Sequence, residues 1–89
     1  MINVPIEALL AKAGKHKDKY SHATVDFNGS LWVWVGNPQR NRAAGEWVLS
    51  RDVVTEKMGI EYDVIHDFGD EVENWSRLKV KLGDEDDYQ

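Results

Sequence analysis

Ala23-Thr24-Val25-Asp26-Phe27-Asn28-Gly29-Ser30-Leu31-Trp32-Val33-Trp34-Val35 is the stretch that decides how this chain folds. Ala23, Val25 and Phe27 alternate with His22, Thr24 and Asp26, the period of two expected of a strand with one buried face. Asn28-Gly29 is a strong hairpin signal, Leu31 to Val35 is the returning strand, and Gly36-Asn37-Pro38 ends it. Two registers satisfy this pattern. A two-residue Asn28-Gly29 turn sets Phe27 opposite Ser30 and Val25 opposite Trp32, which puts Trp32 and Trp34 on the core side. A three-residue loop closed by Gly29 as a bulge sets Val25 opposite Leu31 and Ala23 opposite Val33, which puts both tryptophans beside Thr24 and His22. In either register the second strand is apolar on both sides, as expected of a central strand covered on both faces.

On the N-terminal side, Pro5 opens a helix over residues 5–13, with Ile6, Leu9, Leu10 and Ala13 at helical spacing and Gly14 available as a left-handed end. On the C-terminal side, the polar connection from Gly36 to Gly45 leads to a third strand over residues 46–50. Ser50 caps a short helix over residues 51–58, closed by Gly59. Ile60, Tyr62 and Val64 alternate in a fourth strand, and Asp67-Phe68-Gly69-Asp70 is a turn. Asp70 and Glu73 have the spacing of a capping box, so a helical turn before Trp75 is an alternative for that segment. Leu78, Val80 and Leu82 alternate with Arg77, Lys79 and Lys81, a strand with its cations toward water. The expected fold is α+β: an N-terminal helix packed on a mostly antiparallel sheet of four to five strands, with a second short helix. Residues 1–83 form a single domain, and the acidic residues 84–89 are an expected disordered tail.

Composition narrows the function classes. A chain of 89 residues holds one hydrophobic core, and 42% apolar with 30% charged residues is ordinary globular usage. No apolar run approaches the roughly 20 residues that cross a bilayer. With no cysteine, the chain reads as cytoplasmic rather than as a disulfide-stapled secreted domain. Thiol catalysis and thiolate metal sites are excluded. The net charge of −5 is unevenly distributed. Residues 1–45 carry six Lys/Arg against three Asp/Glu, and residues 46–89 carry five against thirteen, an asymmetry that bears on partners rather than on fold.

Catalytic patterns find little support. His16, His22 and His66 lack the spacing of helical zinc ligands, and a metal site would need His22, His66 and Asp67 to converge. His66-Asp67 and Asp67-Phe68-Gly69 match fragments of phosphohydrolase and kinase motifs without their companions. Ser21, Ser30, Ser50 and Ser76 lie in no nucleophile elbow. The expectation is a non-enzyme with no cofactor and no metal.

Binding is the stronger reading. Residues 61–73 are rich in carboxylates and hold no Lys or Arg, and Trp75 follows, so Asp63, Asp67, Asp70, Glu71, Glu73 and Trp75 form the expected surface for a protein partner with a basic face. On this reading the chain is a modulator, an inhibitor of a larger protein that itself binds nucleic acid. It is similar in kind to small accessory proteins of phages and mobile elements. The alternative is a single-stranded nucleic-acid binder, with Lys15, Lys17, Lys19, Arg40 and Arg42 on phosphates and Trp32 and Trp34 stacking on bases. A homodimer through an open sheet edge is a third expectation.

Overall fold

The computed structural model describes residues 1–49 and 62–83. The expected short helix over residues 51–58 and the acidic tail over residues 84–89 lie outside them. Helix α1 spans Ile6–Ala13 and follows Pro5, whose carbonyl accepts from Ala8 N at 3.0 Å. Gly14 stays right-handed, with φ −57°, and does not supply the expected left-handed stop. The chain tightens instead into a 3₁₀ turn over Gly14–His16, which satisfies further carbonyls without reversing the backbone.

Four strands form one antiparallel sheet in the order β5-β2-β1-β6. They are β1 (His22–Val25), β2 (Ser30–Trp34), β5 (Tyr62–Asp67) and β6 (Lys79–Lys81). Within the connection read as polar, Gln39–Asn41 forms β3, which pairs with β4 (Glu46–Val48) as a separate two-stranded ribbon. Its short, exposed strand carries no alternating hydrophobicity, so nothing in its composition announces it. The result is a small α+β domain. Its outer strands β5 and β6 carry Asp63, Asp67, Lys79 and Lys81, and charge on an edge opposes edge-to-edge pairing.

The hairpin takes the bulged register. Val25 faces Leu31, Ala23 faces Val33, Thr24 faces Trp32 and His22 faces Trp34. Asp26 N donates to Ser30 O at 3.0 Å and Gly29 N to Asp26 O at 2.9 Å, so Phe27-Asn28-Gly29 is a three-residue loop. Gly29 has φ +96°, and a Cβ there would lie 2.5 Å from Asp70 O. Only glycine meets both demands.

This register sorts the side chains. Ala23, Val25, Leu31, Val33 and Val80 line one face with Leu9 and Ala13 of α1 against them, and Val4, Tyr20, Val72, Leu78 and Leu82 complete the core. The N-terminal segment is tied in by Asn74, which accepts from Val4 N and donates to Val4 O. The opposite face of the sheet carries Thr24, Trp32, Trp34, Tyr62 and Val64. Pairing with β5 shifts by one residue between Leu31 and Trp32, with Ile65 packed against the core and Tyr62 and Val64 beside the tryptophans.

Candidate functional site

Three of the exposed large hydrophobic residues, Val48, Tyr62 and Val64, belong to the aromatic side of the sheet or the ribbon beside it. Tyr62 is 50% exposed and Val64 49%. Trp32 and Trp34 have ring centroids 5.9 Å apart, and Tyr62 lies 5.6 Å from the first and 5.5 Å from the second. These are packed, tilted geometries in which each ring fixes its neighbours. Trp34 is only 5% exposed, and its Nε1 donates to Thr24 Oγ1 at 2.8 Å. Thr24 is thus buried beside the tryptophans, as the bulged register requires.

A groove of about 440 Å³ opens over this cluster. It is lined by Trp32, Trp34 and Tyr62 from the sheet, by Trp47, Val48 and Leu49 from β4 and its exit, and by the acidic residues Asp26 and Glu46. The ribbon is held against the sheet by Trp47, whose backbone N donates to Asp26 Oδ1 at 2.9 Å and whose Nε1 donates to Val25 O at 3.0 Å.

Asp26 is 7% exposed, and burial pushes its carboxyl up to about 6, with the charge of Glu46 adding to the rise and the Trp47 N–H bond opposing it. Trp32 Nε1 is buried and reaches no acceptor with hydrogen-bond geometry, yet it lies near enough to Asp26 to favour the ionised form. A desolvated carboxylate among four aromatic rings is suited to hold a cation, because the negative ring faces and the carboxylate act on it together.

The residues expected to form the sites are distributed otherwise. Asp63, Asp67, Asp70, Glu71 and Glu73 are all exposed. Among them, Asp67 and Asp70 both approach the hairpin tip at Gly29. Trp75 is not on that strip: it is partly buried against the core and makes a T-shaped contact with Trp47 at 6.2 Å. Lys15, Lys17 and Lys19 follow α1 and do not line the aromatic groove. Arg42 sits at the tip of the ribbon, and Arg40 lines a different pocket from the aromatic groove, beside Ser76 and Lys79. Trp32 and Trp34 are therefore separated from the basic residues with which they were grouped. His22 and His66 lie on strands separated by β2. No cluster of three or more metal-ligating side chains occurs among the described residues.

Asp26, Glu46, Trp47, Val48, Leu49 and Tyr62 were not legible as site residues. The available signal was β2, apolar on both sides, next to a carboxylate at the end of β1; it implies a second apolar layer around a charge. Comparison with protein-family models, curated proteins and solved structures gives no match. Among the described residues, no helix is long and apolar enough to cross a membrane.

Proposed function

We propose that the protein is a non-catalytic binding module that takes an arginine or lysine side chain of a partner protein into the aromatic groove. The observation that carries this reading is the composition of the groove: four aromatic rings with Asp26 and Glu46 among them. Aromatic residues supply most of the energy of protein interfaces, and a carboxylate in a desolvated wall selects a cation. The exposed Tyr62 and Val64 extend the apolar surface on which the partner backbone rests. Asp63, Asp67, Asp70, Glu71 and Glu73 then steer a basic partner from a distance. By occupying a basic surface, the module inhibits whatever that surface otherwise binds.

Stacking of nucleic-acid bases on Trp32 and Trp34 is the weaker reading, because the charges lining this groove are negative and repel phosphate. The deciding experiment titrates the protein with an arginine-rich peptide, follows tryptophan fluorescence, and repeats the titration with Tyr62→Ala and Glu46→Gln. Saturable binding that is lost in Tyr62→Ala and weakened in Glu46→Gln supports the proposal. Equal binding by all three proteins overturns it. Cation binding favours ionised Asp26, so affinity should fall as the pH drops through about 6.

A further inference from the structure

Trp47 has a second, oppositely charged environment. A compact pocket of about 210 Å³ is lined by Gln39, Arg40, Trp47, Ser76, Arg77 and Lys79. The Arg40 guanidinium lies 5.9 Å and the Lys79 ammonium 5.7 Å from the Trp47 ring centroid. Arg40 Nη1 donates to Ser76 O at 3.2 Å, and Lys79 Nζ donates to Asn37 Oδ1 at 2.9 Å and to Pro38 O at 3.4 Å. These bonds to neutral oxygens fix both side chains but leave their charge uncompensated. Arg77 lines the same pocket and is exposed. Among the described residues, the ion pair that forms is that of the N-terminus with Asp70, and it involves none of the three cations. Among the described residues, three cations thus line one pocket with no carboxylate in its lining, in a protein whose net charge is −5.

Like charges gathered around one ring repel each other, and an anion seated among them removes that repulsion. We infer that this pocket binds a phosphate monoester group, with Arg40, Arg77 and Lys79 as its ligands. The remaining guanidinium N–H groups of Arg40, the whole guanidinium of Arg77 and the third proton of Lys79 are the donors. The charge count favours a terminal dianionic phosphoryl group over a monoanionic carboxylate. The small volume favours one such group over a run of phosphodiester backbone, whose charges are spread along a chain. The ligands of this site lie outside the aromatic groove and carry the opposite charge, although the Trp47 ring walls both.

The test is a titration of the full chain with inorganic phosphate and with phosphoserine, at constant ionic strength in chloride, read from the indole N–H resonance of Trp47. Saturable shifts with both ligands, weakened about tenfold in Arg77→Gln and lost in Arg40→Gln/Arg77→Gln, are expected. Glu46→Gln, which impairs the aromatic groove, should leave phosphate binding unchanged, so each site can fail separately. Shifts no larger than those from acetate overturn the inference. So does tighter binding of an oligonucleotide without terminal phosphates, which would assign the pocket to nucleic-acid backbone.

Discussion

The two faces of the central sheet come from the same strands, yet they are closed by different means. On one, Ala23, Val25, Leu31 and Val33 meet Leu9 and Ala13 of α1 in a wholly aliphatic layer. On the other, Trp32, Trp34 and Tyr62 pack on one another, with the indole of Trp34 tied to Thr24 and the ribbon of β3 and β4 at one side. The first face is saturated: its residues are buried and have no polar atoms left to satisfy. The second keeps exposed apolar surface, a desolvated carboxylate and an unpaired indole N–H. On the function proposed above, stability is concentrated on the aliphatic side and recognition on the aromatic one, a division available to a small domain that has only one core.

Substitutions can test that division. Leu31→Ala removes a fully buried side chain from the helix-covered face, and a loss of about 2–5 kcal/mol in urea unfolding is expected. Tyr62→Ala should cost less than about 1 kcal/mol because the ring is half exposed, while removing peptide binding. A large stability loss in Tyr62→Ala would break the comparison. Gly29→Ala attacks both faces at once by challenging the register. Its φ of +96° and the 2.5 Å approach of Asp70 O predict a destabilisation of about 1–3 kcal/mol, and more if the loop must re-form as a two-residue turn.

Asp26→Asn sharpens the electrostatic half of the contrast. The folded-state pKa of Asp26 is raised from 3.8 to about 6, so the folded protein holds this proton where the unfolded chain has released it. Its contribution to stability falls as pH rises from about 4 to about 6 and is level above that. The slope should flatten in Asp26→Asn, whose amide oxygen still accepts from Trp47 N. A difference on the order of 2 kcal/mol between the acid and neutral plateaus is expected from unfolding curves over that range. The smallest effect is assigned to reversing Asp67, Asp70, Glu71 and Glu73 to Lys. Association with a basic peptide should slow and lose salt dependence, with little change in dissociation rate. A collapse of the dissociation lifetime would instead return the interface to the acidic strip.

Much of the fold was written in local patterns. The alternation at residues 23–27, 31–35 and 78–82 and the helical spacing from Ile6 to Ala13 each lie within one element, so each could be read from its own residues. The β3–β4 ribbon could not be read in full, because the strand Gln39–Asn41 is polar and gains its place from Trp47 and Asp26 across the fold. Lys79 fitted a water-facing strand position, yet it turns over the Trp47 ring. The relevant neighbour is 32 positions away along the chain.

By itself, the sequence determined that a hairpin forms around Asn28-Gly29, that β2 is apolar on both sides and that acidic residues dominate the second half. Only the tertiary structure decided which face the tryptophans occupy. One residue more in the loop reverses every side chain of the returning strand, and the local pattern is satisfied by both registers. The choice rests on contacts that no local pattern contains: the aliphatic layer that fits α1, and the approach of Asp70 to Gly29 that leaves no room for a side chain. With that register set, Asp26, Trp32, Trp34, Trp47 and Tyr62 become neighbours. A hairpin signal thereby becomes an aromatic groove.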